Sequence, residues 1–131
     1  MTGITAGQII PVLRKGPIRV RQLAMFAAAT GEFVDIHYDK DYAISMGLPD
    51  IIIQGLYKTA TIAQMLKDWV GDSRSIKRIN VRHLGMDVVG NTLIAGGKVT
   101  AIDGSKVECE VWIDNQNGER TVTGTAVLVI C

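Results

Sequence analysis

The apolar residues change period part-way along the chain, and this change restricts the fold more than any other feature. From Lys106 to Ile113, Val107, Cys109, Val111 and Ile113 alternate with polar residues, the pattern of a strand with one buried face. Asp103-Gly104-Ser105 precedes that run and Asn115 to Gly118 follows it, and both are turn signals. Further strands are predicted over Ser75–Leu84, through Ile76, Ile79, Val81 and His83, over Thr92–Ile102, and over Thr121–Ile130. Gly96-Gly97 interrupts the second of these and marks either a bulge or a close approach of backbones. Such short turns between alternating runs give antiparallel hairpins with one apolar face.

The first half follows a helical period. Ile9, Ile10, Val12 and Leu13 predict a short opening strand over Gln8–Arg14, and Pro11 suits it to an edge. Val20, Leu23, Phe26 and Ala27 then recur at three- and four-residue steps, predicting a helix over Ile18–Thr30 that Gly31 ends. One or two helical turns are expected over Asp41–Met46, closed by Gly47, with Pro49 forbidding continuation. A longer helix is expected over Leu56–Val70, stopped by Gly71. One stripe is Leu56, Ala60, Ala63, Leu66 and Val70, and a second is Ile62, Met65 and Trp69, which describes a helix enclosed by other structure. The expected class is α+β: an antiparallel sheet wrapped around one long central helix, forming a single domain over residues 1–131.

Composition removes several function classes. With 47% hydrophobic and 21% charged residues the chain is not disordered. Fourteen basic and 13 acidic side chains leave a net charge of +1, which gives no reason to expect a nucleic acid partner. No apolar run approaches the ~20 residues a membrane helix needs, and Met1–Gln8 lacks the features of a secretory signal, so a cytoplasmic location is expected. Cys109 and Cys131 form no metal spacing and read as two reduced thiols. A mean hydropathy of +0.22 calls for a generous core or an apolar face covered by a second subunit.

Chemistry concentrates in Thr30-Gly31-Glu32-Phe33-Val34-Asp35-Ile36-His37-Tyr38-Asp39. One of only two histidines lies here among carboxylates. Glu32 and His37 are five residues apart on a segment that follows a glycine stop. A turn of that length can bring a carboxylate and an imidazole to one water, the requirement for adding or removing water across a double bond. On these residues alone, a solvated or structurally hydrogen-bonded histidine is the commoner case. Gln54-Gly55 opens the long helix, whose first amides have no internal partner and carry the positive end of the dipole. Such an amide can bind a carbonyl oxygen as negative charge builds on it; a plain loop-to-helix turn is an equal reading.

The acid-to-histidine spacing, the onward spacing to Gly47-Leu48-Pro49, and then to Gly55 resemble the MaoC-like hydratase/dehydratase family, hot-dog-fold relatives of (R)-specific enoyl-CoA hydratase. The resemblance covers about a third of the chain in detail. It implies a hot-dog fold and reversible hydration of a trans-2-enoyl thioester to the (R)-3-hydroxyacyl thioester. Glu32 and His37 match the family's catalytic acid and histidine, and Gly55 matches the glycine whose amide binds the thioester carbonyl. Gln54, Leu56, Val34 and Asp35 are expected to line the substrate, with Ile62 and Met65 as further candidates beside the acyl chain, although a stripe at helical spacing is core by default. The chain departs from the pattern at Glu32, where the family has aspartate, at Val34-Asp35, where it has Asn-Pro, and at Gln54, where it has histidine.

The resemblance also implies at least a homodimer, with a second hot-dog subunit as an alternative partner. Coenzyme A or an acyl carrier would form part of the substrate, and no metal or redox cofactor motif is present. Arg74, Lys77, Arg78 and Arg82 are the densest basic group and could meet phosphates; an exposed strand face explains them as well. The rival functions are a non-catalytic subunit of a heteromeric hydratase, an acyl-CoA thioesterase on the same fold, and an acyl-thioester binding module.

Overall fold

The computed structural model describes residues 3–130, so Cys131 lies outside the described residues. The chain runs β1 (Ile9–Lys15), α1 (Val20–Thr30), a 3-10 turn (Asp35–His37), α2 (Lys40–Ser45), α3 (Gly55–Val70), a 3-10 turn (Ser73–Ser75), β2 (Ile76–His83), β3 (Leu93–Asp103), β4 (Lys106–Asp114) and β5 (Arg120–Val129). The five strands form one antiparallel sheet in the order β1-β3-β4-β5-β2. This is the hot-dog architecture, α+β, with α3 laid against one face of the sheet. Among the described residues no helix is long and apolar enough to cross a membrane.

Strand alternation decides which side chains meet α3. Val107, Cys109, Val111 and Ile113 of β4 are buried, as are Val122, Ala126 and Leu128 of β5, and they join Ile62, Met65 and Leu66 of α3 in one core. Each fully buried aliphatic or methionine side chain contributes roughly 1.5–3 kcal/mol by leaving water. Burial also pushes the Cys109 thiol up to about 11, so it stays protonated and inert.

Gly96-Gly97 is a close approach, not a bulge: the register with β4 is unbroken from Ile94 to Val99, and the irregularity falls after Val99. A Cβ on Gly97 would stand 2.8 Å from Ile10 Cδ1, on the helix side. One on Gly96 would stand 2.5 Å from Trp112 Nε1, on the outer side. β1 is an edge strand, and its register shifts between Ile10 and Leu13, around Pro11.

The helices begin and end where their local chemistry dictates. Gln22 Oε1 accepts from the N–H of Arg19 at the start of α1, and Gly31, in the left-handed region at φ 71°, ends it. Asp39 caps α2 by accepting from the N–H of Tyr42. Gly71, at φ 83°, ends α3.

The expectation of an enclosed central helix needs correction. The buried face of α3 carries Tyr57, Lys58, Thr61, Ile62, Met65 and Leu66, whereas Leu56 and Ala60 are exposed. The inward set includes a lysine because an acid is waiting for it. Lys58 and Asp87, 2% and 0% exposed, pair at 3.0 Å. Thr121 Oγ1 also donates to Asp87 Oδ2, at 2.5 Å, while Asn91 Nδ2 and Asn115 Nδ2 donate to Oδ1 at 2.9 and 3.1 Å. Lys58 Nζ further donates to the carbonyl of Gly85 at 3.2 Å. Apart from proton position, the buried pair thus has most of its hydrogen-bonding capacity met.

Candidate active site

Four segments converge where α3 begins. Ile51, Ile52 and Ile53 are buried and lie antiparallel to residues 87–89: the N–H of Ile53 donates to the carbonyl of Asp87, and the N–H of Val89 donates to that of Ile51, each at 2.9 Å. On the other side, the N–H of Ile52 donates to the carbonyl of Ile36 at 3.0 Å, docking the 3-10 turn that carries His37. This apolar run, which connects a strand-like ribbon to a helix, therefore fixes His37 relative to Gly55.

His37 Nδ1 lies 2.6 Å from the carbonyl oxygen of Ile52. A carbonyl only accepts, so Nδ1 carries a hydrogen, and in the neutral ring Nε2 is the acceptor. The ring is half-buried and is held through Ile52, three residues before the start of α3. Glu32 lies immediately beyond the left-handed Gly31, its N–H donating to the carbonyl of Ala27 at 3.1 Å. Its side chain is exposed and forms no ion pair with His37 among the described residues. Val34 and Asp35 are exposed on the same loop, and Asp35 accepts from the hydroxyl of Tyr38 at 2.8 Å.

Gly55 is the first residue of α3 and Gln54 its N-cap, but Gln54 does not cap the helix. Its Nε2 instead donates to the carbonyl of Leu23 at 2.9 Å, tying α3 to α1, and its Oε1 is buried without a partner. The leading amides of α3 are therefore left uncapped by this side chain, with the positive end of the helix dipole behind them. Leu56, 50% exposed, follows on the open side. Ile62 and Met65, expected as acyl-chain candidates, are 0% and 1% exposed and belong to the core.

One residue here was given no chemical role by sequence: His83. It follows Ile79 and Val81 on the core-facing side of edge strand β2, one step past the strand's packed part. A Cβ on Gly55 would stand 3.2 Å from both His83 Cε1 and Nε2. The imidazole edge lies tight against this position, so a side chain here would require the ring to give by a few tenths of an ångström. Partial burial, then the positive charge of Lys58, hold the His83 pKa below its usual value. The alternation Ile79, Val81, His83 was the available signal.

The basic group does not form one patch. Arg78 and Arg82 alternate with Ile79 and Val81, and so face away from the core. Arg74 and Lys77 instead line a separate open cleft of about 450 Å³ with Val70, Asp72 and Ile130. There Arg74 pairs with Asp72 at 3.1 Å, and this guanidinium holds the exposed carboxyl below its usual range. Among the described residues no group of three or more histidine, cysteine or acidic side chains is placed to hold a metal ion.

The chain is 35% identical over 103 residues, 78% of each chain, to the 3-oxo-4,17-pregnadiene-20-carboxyl-CoA hydratase beta subunit of Mycobacterium tuberculosis. The structure superposes on a chain of the ChsH1-ChsH2 complex from Mycobacterium tuberculosis with a TM-score of 0.89 and 30% identity, covering 100% of both chains. It also matches the (R)-hydratase from A. caviae involved in PHA biosynthesis, with a TM-score of 0.91 and 22% identity over 100% of both chains, a likeness of fold. The profile described as MaoC like domain matches residues 7–125. On fold, segment order and sequence together, the chain belongs to the MaoC-like dehydratase domain family.

Proposed function

We propose that the protein hydrates and dehydrates an acyl thioester, interconverting a trans-2-enoyl thioester and its (R)-3-hydroxyacyl form, with Glu32 and His37 orienting the water. The observation that carries this is the His37 Nδ1–Ile52 carbonyl contact of 2.6 Å. It turns Nε2 of the neutral ring into an acceptor on a turn docked to the run that leads into α3. His37 Nε2 takes the proton that leaves the water as oxygen bonds to C3 and returns it to C2 as the enolate collapses, while Glu32 holds the second side of the water. The Gly55 N–H takes the thioester carbonyl oxygen, where charge builds as the enolate forms. The thioester gains one water in all, and no redox partner is consumed. Val34, Asp35, Gln54 and Leu56 flank the acyl group, and coenzyme A is the carrier tested first.

The experiment is loss of the conjugated enoyl absorbance with a panel of enoyl-CoA substrates of increasing acyl size, a steroid side-chain thioester among them. His37→Ala and Glu32→Gln are each expected to lower turnover on the order of 100-fold or more with the thermal midpoint retained. Wild-type rates in both variants would overturn the assignment.

The beta-subunit name of the Mycobacterium tuberculosis relative favours one second reading: the chain works as one subunit of a heteromeric hydratase. Activity that appears only on co-expression with a second hot-dog chain would support it.

A further inference from the structure

We propose that His83 is a second hydrogen-bond donor to the thioester carbonyl, its imidazole N–H acting beside the Gly55 amide; this rests on the reading above that the carbonyl lies at the mouth of α3. His83 comes from β2, a different element from the loop that holds His37, and its Cε1–Nε2 edge is the part of the ring turned to Gly55. The side chain is exposed, so it does not fill the core, and it lies at the end of β2, opposite Val122 of β5. Gln54, which precedes Gly55, has its side-chain amide turned back to α1, where Nε2 donates to the carbonyl of Leu23.

The charged groups around the ring favour a neutral imidazole. Lys58 sits one turn into α3 and carries its charge toward the ring, although Asp87 balances it at 3.0 Å. Arg82 precedes His83 on the opposite face of β2. A neutral imidazole at a helix start donates one N–H to a developing oxyanion without a proton changing hands, as a neutral histidine does beside a helix N-terminus in triosephosphate isomerase. The contact gives an exposed histidine at that strand end a role beside the first amide of α3.

Two probes test it on the full-length chain, crotonyl-CoA for turnover and saturated butyryl-CoA, which cannot be hydrated, for binding. His83→Leu keeps bulk without an N–H, and His83→Gln restores a donor near Nε2. The Leu variant should lose kcat on the order of 100-fold with KM little changed, and the Gln variant should recover most of it. The chain has two histidines, so its two imidazole Cε1–H proton signals are assigned with the Leu variant, and butyryl-CoA should shift that of His83. Equal rates in the Leu and Gln variants, or saturating butyryl-CoA that leaves the His83 signal in place, would overturn the proposal while the hydratase reading stands. A wild-type chain that hydrates nothing, but whose His83 signal moves with butyryl-CoA, would sink the hydratase reading and keep the carbonyl contact. A chain that does not bind butyryl-CoA overturns both.

Discussion

Lys58 and Asp87 show how much a single residue can commit a fold. Burial alone would raise the Asp87 carboxyl, yet hydrogen bonds from Thr121, Asn115 and Lys58, with the charge of Lys58, outweigh it and hold its pKa below the ordinary value. Lys58→Met removes the cation and leaves a buried carboxylate facing an apolar neighbour. We expect a loss of about 3–5 kcal/mol in urea unfolding, and a loss under 1 kcal/mol would mean that the neutral donors alone suffice. His83 gives the opposite pH signature to a paired histidine. Its folded pKa lies below the unfolded value, so the unfolded chain binds more protons as pH falls below about 6.5. Stability carried by the neutral ring is therefore complete above that pH and declines as pH drops toward the folded pKa. His83→Gln should flatten the fall in thermal midpoint between pH 7 and pH 5, and an unchanged slope would assign the decline to other groups.

At the scale of elements, the start of α3 is an assembly of parts distant in sequence. The 3-10 turn contributes His37, the 51–53 run provides the carbonyl that orients it, and β2 brings His83 against Gly55. Gly55→Ala would put a Cβ 3.2 Å from the His83 ring, which must then give by a few tenths of an ångström. Such a shift at a reacting centre lowers rate far more than stability, and about a tenfold fall in kcat with an unaltered fold is expected. β2 and β5 set a harder limit. A Cβ on Gly124 would stand 2.2 Å from the Asn80 carbonyl oxygen and 2.8 Å from Val81 Cα, both backbone atoms. Gly124→Ala should cost about 1–3 kcal/mol or more in chemical denaturation, because neither strand can yield without parting the ladder.

At the scale of the whole molecule, the apolar surface is the unfinished part. Phe33 is 66% exposed, Met86 60%, Leu84 56% and Leu56 50%, and all four lie on segments that meet at the start of α3. Exposed apolar side chains on adjoining segments suit a surface that another molecule covers. The high mean hydropathy of the chain points the same way. Sedimentation at micromolar concentration is expected to give a dimer or larger species, and Leu84→Glu should lower that mass. A strictly monomeric wild-type chain would show that the exposed set serves the substrate alone.

Period and punctuation were sufficient to determine, from sequence, the strands, the two longer helices, their order and the antiparallel sheet, because those features depend on neighbours two to four residues away. The spacing from Glu32 through His37 to Gly55 pointed to a candidate site only through the family resemblance, since on the residues alone a histidine among acids is more often solvated or structurally bonded. Tertiary structure alone decided the contacts that join distant positions. It sent Lys58 inward to Asp87, 29 residues on, and exposed Leu56 on the side expected to be covered. It also brought His83 to Gly55 and gave His37 its tautomer through Ile52. Such contacts depend on how elements pack, and a pattern of local period carries no record of which residue will stand opposite which.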